Sequence, residues 1–313
     1  MKKLMFLFLF VCVNLFAQER ILLDIVKNVS LNQTQKTINS AKALQNEFND
    51  KNFTLFLQDW KKTEAVYLAG SIDEDYLDTP RYIDVFNNLN EDLNAQMQRV
   101  IDSNSEIKNA LFKNSFKTIN ALEYVYYNNK DLSQREVDIA KEILNSIISN
   151  LEDMKEVYSS FEESNKDEIE ENALVINAVI ASSYRLKEWR IGNPAGLSAK
   201  YKNNPNNSRA EYLTSQNSFN AIYAILEAMQ DIITKKEFKN LYTLATNDSQ
   251  KKDLNLANSL IEEMKTELVN LGKDDFSKAQ NLFEKASQLH DLFYATIIQK
   301  LGLIPTILDA DGD

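Results

Sequence analysis

Asn120 and Glu123 are the two side chains whose types and spacing best suit chemistry in this sequence. They lie three residues apart in the largely apolar run 118–127, and on a helix that spacing places both on one face. A carboxylate among apolar neighbours needs a cation, a hydrogen-bond donor or a water-filled cleft in order to stay ionised. Glu123 is therefore predicted to line a ligand site, with a structural hydrogen bond to an arginine or a tyrosine as the alternative.

Glu64 is a second candidate because it follows Trp60 by four residues on a predicted helix. If it faces the same cleft as Glu123, the two carboxylates suit a hard cation, such as calcium, magnesium or ferric iron. An exposed helical glutamate is the alternative. Asn120 adds little to a metal site, since an amide offers only a weak carbonyl ligand and cannot act as a general base.

The counts of histidine and cysteine exclude several classes of site. Cys12 is the only cysteine and His290 the only histidine. The chain therefore lacks the residues for a zinc centre rich in histidine, for a cysteine cluster and for a mechanism that needs two imidazoles. Any metal site must use carboxylates, carbonyls and amides, and His290 is predicted to pack structurally in the core of the second half of the chain.

Two further regions carry side chains that can line a cleft. Tyr127 follows Glu123 by four residues on the same predicted helix face. Trp189 and Arg190 end a predicted helix and precede the long non-periodic stretch 192–214, where an aromatic ring and a guanidinium are well placed to meet a ligand. A helix terminus with a packed indole is the alternative for this pair.

The run that contains Glu123 resembles the signature of the imelysin family, Gly-x-His-x-x-Glu followed by an aromatic residue. Glu123 and Tyr124 match it, whereas Thr118 and Asn120 stand where the signature has glycine and histidine. Three further segments are similar to family features: the Trp-led helix 60–70, the pair Asn217 and Ser218 that opens a late helix, and the ending formed by 301–303 and 309–313.

This resemblance implies an all-α fold of two four-helix bundles packed side by side, with the functional region in the cleft between them. It assigns Thr118, Asn120, Asn217 and Ser218 to that cleft. Imelysin-like chains include iron-regulated envelope proteins and metallopeptidases, so the resemblance implies a metal ion, divalent or ferric, as a possible cofactor. The absence of the signature histidine argues against peptidase activity.

The N-terminus has the features of a secretory signal peptide. Met1-Lys2-Lys3 precedes an apolar run that is too short to span a bilayer, and a small residue, Ala17, closes it. Cleavage there gives a mature protein that starts at Gln18, has no transmembrane segment and is periplasmic. A lipid anchor on Cys12 is disfavoured because bulky residues precede that cysteine. The net charge of −11 argues against a nucleic-acid partner.

Helical periodicity and a scarcity of turn residues, with 6 glycines and 4 prolines, predict an all-helical chain. Ser133 with Glu136, and Ser103 with Glu106, have the form of capping boxes, and Gly272 and Gly302 stand where helices should end. The acidic stretch 162–168 is the predicted boundary, giving a signal peptide (1–17), an N-terminal bundle (18–162) and a C-terminal bundle (163–313). The predicted helices are 19–49, 54–69, 83–101, 106–128, 134–161, 168–190, 215–234, 248–271 and 277–301.

Three functions remain open on this basis. The first is an exported protein that handles a metal or acquires iron through the cleft between two bundles. The second is a metallopeptidase, and the third is an envelope scaffold that binds a peptide or a protein partner without a metal. A metal ion or a small ligand is the expected partner, with envelope proteins as an alternative.

Overall fold

The computed structural model describes residues 19–87 and 91–305. The predicted signal peptide and the tail 309–313 lie outside these ranges. Every regular element within them is helical, which confirms the all-α prediction. The longer helices are α1 (Leu31–Asn46), α2 (Asp50–Ala65), α3 (Leu93–Asp102), α4 (Ile119–Tyr127), α5 (Gln134–Ser160), α6 (Glu168–Arg185), α7 (Ser218–Ile233), α8 (Asp248–Leu271) and α9 (Gln280–Asp291).

Several boundaries were well predicted because local chemistry sets them. Ser133 accepts a hydrogen bond from the Glu136 amide and the Glu136 carboxylate accepts one from the Ser133 amide at 2.8 Å, so α5 begins with the predicted capping box. The last turn of α8 ends at Gly272, whose φ of +81° favours a residue without a side chain.

Two predicted helices are wrong. The segment 83–101 is interrupted, because a short helix, Thr79–Ile83, ends before residue 84 and α3 starts only after Asp92, which caps it. The segment 106–128 is a one-turn helix, a 3₁₀ turn (Asn114–Lys117) and then α4. Apolar residues continue at helical spacing across both breaks, so the sequence pattern does not reveal where the helices are interrupted.

The predicted capping box at Ser103 is also wrong. The Ser103 hydroxyl donates to the Val100 carbonyl at 3.1 Å, and the residue ends α3 instead of starting a helix. Thr118 is the actual N-cap of α4, and its hydroxyl accepts from the Ala121 amide.

Three segments have π-helical geometry. These are Val26–Ser30, between the short helix Leu22–Ile25 and α1, then Leu186–Gly192 after α6, and Leu292–Ile297 after α9. Segments of this kind occur frequently at functional sites, because the extra residue in the turn redirects neighbouring side chains.

The helices form two groups that meet along α2 and α7. In the first half of the chain (residues 19–162), α1 lies against α2 and α5, and α4 lies against α3 and α5. In the second half (163–305), α8 lies between α7 and α9, and α6 lies against α9. This arrangement agrees with packed helical bundles. The predicted domain boundary falls in the irregular segment between α5 and α6. No helix in the described part of the chain is long and apolar enough to cross a membrane.

Candidate functional site

A buried lysine is the centre of the interface between the two halves. Lys61 is completely inaccessible to solvent. Its ammonium group donates to Glu64 at 2.9 Å and to Asp84 at 2.6 Å, both in the first half. It also donates to Glu211 of the second half at 2.5 Å. One cation therefore joins three carboxylates from three separate segments of the chain.

The position of Lys61 on α2 explains its burial. Phe53, Leu57 and Lys61 follow one another at intervals of four residues, so the lysine lies on the helix face that carries the apolar side chains. A lysine in such a place needs partners at its charged end, since an unpaired buried charge is strongly unfavourable. The three carboxylates meet that requirement.

Arg190 provides a second buried cation. It lies in the π-helical segment Leu186–Gly192, and its Nε atom donates to Glu211 at 2.8 Å. Its Nη2 atom donates to both oxygens of Glu64, at 3.0 and 2.8 Å. Lys61, Glu64, Asp84, Arg190 and Glu211 are called the charge cluster below.

Asp84 connects the charge cluster to two aromatic residues. Its Oδ2 atom accepts from the Trp60 indole at 3.1 Å and from the Tyr212 hydroxyl. Its Oδ1 atom accepts from the Phe86 amide at 2.9 Å. These bonds explain how the fully buried Trp60 satisfies its indole N–H, and they attach the segment after residue 83 to α2.

The pKa shifts of Lys61, Glu64 and Asp84 favour their ionised forms, whereas burial raises the pKa of Glu211. Burial disfavours the charged form of Lys61, but the negative charges of Asp84 and Glu211 outweigh the effect of burial and raise the pKa of the ammonium group. Burial likewise opposes ionisation of Glu64, but Arg190 and Lys61 hold its pKa well below the usual value. The cations therefore favour the charged form of Glu64, and the carboxylates favour the charged form of Lys61.

Glu123, the predicted centre of the site, lies on α4 beside the charge cluster. Its Oε1 atom accepts from the Ser215 amide at 2.8 Å, and it has no ion pair with any residue of the ranges described. Burial raises the pKa of Glu123 to about 7; hydrogen bonds from Ser215 oppose that shift, and the charges on Glu211 and Asp84 add smaller contributions to it. Its partner is a backbone amide, and the alternative of an arginine or tyrosine partner is not what the structure shows.

Asn120 has a positioning role in this arrangement. Its Oδ1 atom accepts from the Val85 amide at 2.8 Å, next to the buried Asp84. The carbonyl oxygen is thus already engaged by the chain. Thr118, the third predicted residue of the signature run, is buried as the N-cap of α4.

Tyr127 and Trp189 lie apart from the hydrogen bonds of the charge cluster. The Tyr127 hydroxyl donates to Asp50 at the first residue of α2, whereas Lys61 lies near the last turn of that helix. Trp189 is partly buried on the π-helical segment, and its indole makes no hydrogen bond with the part of the chain described.

Asn217 and Ser218 fix the start of α7. Asn217 accepts from the Thr54 hydroxyl at 3.0 Å, which links the two halves. The Ser218 amide and the following amide both donate to Asp274, at 2.5 and 2.9 Å. Because both residues are buried and hydrogen-bonded within the chain, they position α7 and the segment before it.

The segment before α7 is conformationally strained. Tyr212 and Gln216 have φ values of +54° and +55°, which side-chain-bearing residues rarely adopt. Tyr212 contacts Asp84, and Ser215 contacts Glu123. Hydrogen bonds to the first half therefore hold this segment in an unfavourable backbone conformation, as is common at ligand sites.

The residues present do not fit a metal centre of the predicted kind. Glu64 is bonded to Arg190 and Lys61, and Glu123 to Ser215, so the structure does not combine these carboxylates into one donor set. In residues 19–87 and 91–305, no group of three or more histidine, cysteine, aspartate or glutamate side chains is arranged to hold a metal ion.

Sequence reasoning missed Lys61, Asp84, Glu211 and Tyr212. Lys61 could have been found, since it interrupts the apolar face of α2. The partners could not, because Glu211 is 150 residues away in the sequence and lies in a stretch without periodicity. His290 was correctly predicted to be structural: it is buried and its Nδ1 atom lies 3.0 Å from the Ser183 hydroxyl.

Comparison with known proteins agrees with this fold. The family model described as Imelysin matches residues 28–300. The chain belongs to the imelysin family. A crystal structure of an imelysin-like protein from Psychrobacter arcticus 273-4 is similar over 92% of this chain and 98% of that chain, with a TM-score of 0.75 and 14% sequence identity. No curated protein matches the sequence.

In this imelysin-family chain, the junction between the halves thus holds two cations and three carboxylates that pair with one another. Glu123 stands next to them, hydrogen-bonded to Ser215 and without an ion pair among the described residues.

Proposed function

We propose that this imelysin-family protein is an exported binding protein without catalytic activity, which holds a ligand or a partner at the junction between its two halves. The observation that carries the proposal is the pairing of Lys61 and Arg190 with Glu64, Asp84 and Glu211. The signal-peptide pattern of residues 1–17 supports export.

Within the charge cluster, the pairing leaves no group suited to peptide hydrolysis. A general base must be able to take a proton from water near neutral pH, and a carboxylate fixed between two cations is too weak a base. Asn120 cannot titrate, and its oxygen is bonded to the Val85 amide. Lys61 is held in its protonated form, so it cannot act as a nucleophile.

The same pairing also argues against a metal within the charge cluster. The Lys61 ammonium lies among three carboxylates, where a bound cation would otherwise compensate their charge. A metal that entered would have to displace a buried lysine, which would then be left without partners. Peptidase chemistry of the metal-dependent kind therefore has no support at this position.

A peptidase assay tests the proposal directly. Purified protein is incubated with insulin B chain in the presence and absence of a chelator, beside an Asn120→His variant that restores the imidazole of the signature. We expect no cleavage by either protein. Cleavage by the wild type that the chelator inhibits and that Glu123→Gln abolishes would refute the proposal.

A metal-handling or iron-acquisition role is the second candidate, and Glu123 is the observation that favours it. It is a buried carboxylate at the junction with no ion-pair partner in the described residues, so an external cation could satisfy its charge. Elemental analysis of protein purified from the envelope tests this role. A stoichiometric metal that is lost in Glu123→Ala supports it.

A further inference from the structure

Arg185 is a third cation at the junction, and it has no hydrogen-bond or ion-pair partner among the described residues. It is the last residue of α6 and it is partly buried. Glu64, Arg190 and Glu211 are near enough to affect its charge. Yet Arg185 makes no hydrogen bond and no ion pair with any residue in the ranges 19–87 and 91–305.

The acceptors near Arg185 are already engaged. Both oxygens of Glu64 accept from Arg190, and one of them also accepts from Lys61. The oxygens of Glu211 are divided between the same two cations. The carboxylates therefore reduce the unfavourable free energy of burying the Arg185 charge, but they do not accept hydrogen bonds from its five N–H groups.

A guanidinium in this state needs acceptors from outside the chain. Burial lowers the pKa of Arg185, and the nearby Glu64 offsets that effect only in part. Unfilled donors on a partly buried cation are unfavourable, so either water or a ligand must bind them. The planar fork of a guanidinium matches the two oxygens of a carboxylate.

Trp189 lies on the next helical turn from Arg185. Residues four apart share a helix face, so the indole and the guanidinium project from one side of this helical segment. The Trp189 indole is also without a hydrogen bond to the described chain, and it is partly buried. It offers an apolar surface with one N–H donor.

We propose that Arg185 and Trp189 form a binding site for a ligand that carries a carboxylate beside an apolar group. The guanidinium binds the carboxylate through two hydrogen bonds, and the indole covers the apolar part. A single free guanidinium suits a singly charged carboxylate. A phosphate with two charges would meet the fixed charges of Glu64 and Glu211 and would need more than one free cation.

This site rests on the proposed binding function and specifies the ligand class. The probe is acetyl-leucine with a free carboxylate, and acetyl-leucinamide is its neutral control. The chain has 2 tryptophans, of which Trp60 is fully buried and bonded to Asp84, so a fluorescence change on titration reports on Trp189. We expect saturable quenching by acetyl-leucine and none by the amide.

Variants assign the binding to Arg185. Arg185→Met should abolish the quenching, and Arg185→Lys should weaken it at least about tenfold, since an ammonium group keeps the charge but loses the fork. Arg81→Met is the matched control, because Arg81 is exposed and, among the described residues, forms an ion pair only with Asp78. It should bind the probe as the wild type does. Circular dichroism establishes that each variant is folded.

The inference is wrong if the wild type binds neither probe, if acetyl-leucinamide binds equally well, or if folded Arg185→Met retains the affinity. Competition by inorganic phosphate at lower concentration than acetyl-leucine would also overturn the choice of ligand class. None of these outcomes contradicts the proposed function. That proposal is contradicted separately, by a positive peptidase assay.

Discussion

Lys61 of α2 donates to Asp84 across 2.6 Å, and both residues are almost completely inaccessible to solvent. The bond joins a helix to the irregular segment that follows Ile83. Tyr212 of the second half donates to the same Asp84 oxygen. The pair therefore sets the geometry in which the two halves of the chain meet, and removing one member leaves the other charged in a buried place.

The replacement Lys61→Met should strongly destabilise the protein. It leaves three carboxylates without their common cation, and breaking a buried pair typically costs about 3–5 kcal/mol. Urea unfolding measures the loss in the free energy of unfolding. The double variant Lys61→Met/Asp84→Asn should recover part of it.

Lys42→Met is the control for that experiment, since Lys42 and its partner Glu152 are both about half exposed. Its effect should stay below about 1 kcal/mol. Equal effects of the two lysine variants would show that the buried network contributes no more than a surface pair.

The stability of the protein should depend on the ionisation of Glu123. Its pKa in the folded protein, about 7, lies above the ordinary value of 4.5, so the folded state binds this proton more tightly than the unfolded state. The contribution of Glu123 is therefore most favourable below about pH 4.5, decreases as the pH rises towards 7, and is constant above.

Glu123→Gln tests this dependence, because glutamine resembles the neutral acid and can still accept from the Ser215 amide. Relative to the wild type, the variant should gain stability between pH 5 and pH 8, by about 3 kcal/mol at most. Urea unfolding at both pH values measures it, with Glu152→Gln on the surface as control. A parallel pH dependence in wild type and Glu123→Gln contradicts the prediction.

Asn120→Ala should destabilise the protein because it removes the acceptor of the Val85 amide. A buried donor left without a partner costs about 1–3 kcal/mol. Thermal or urea unfolding gives the value. Asn32→Ala is the control, since the Asn32 side chain is exposed and bonds only to a carbonyl of the preceding turn. If both asparagine variants behave alike, Asn120 does not position the segment around Asp84.

Envelope-purified protein should begin at Gln18 and carry no lipid. Ala17 is the only small residue near the end of the apolar run, which makes it the expected cleavage position. Intact-mass spectrometry measures the terminus. A diacylated terminus at Cys12 would show that the protein is a lipoprotein.

The fold was largely predictable because it depends on local patterns. The capping box at Ser133 and the apolar seam of α5 lie within one helix, and both could be recognised from neighbouring residues. The site was less predictable because its contacts join distant segments. Glu123 contacts a backbone amide 92 residues further along the chain, and since nearly every residue has such an amide, no residue type marks the partner.

The break before α4 shows the same limit. Apolar periodicity predicts one helix across residues 106–128, whereas in the structure α4 begins at Ile119, after its N-cap Thr118. Threonine is a favourable N-cap but is also tolerated within helices, so its presence alone did not reveal the break. The predicted positions of Asn120 and Glu123 on one helix remained correct because both follow the cap.

The last prediction distinguishes the two candidate functions by their response to metal ions. If the protein is a ligand-binding protein without a metal, calcium, magnesium and ferric iron should leave its melting temperature unchanged. If Glu123 binds a cation, the ion should raise the melting temperature of the wild type by its binding free energy, and Glu123→Ala should remove that increase. Asn120→His should then strengthen the binding of a transition metal, because it adds an imidazole three residues from the carboxylate. A thermal-shift titration of the three proteins measures this, with exposed Glu152→Ala as control. An ion-dependent increase in melting temperature that disappears only in Glu123→Ala favours metal handling. An unchanged melting temperature in the wild type and both site variants excludes metal handling for these ions.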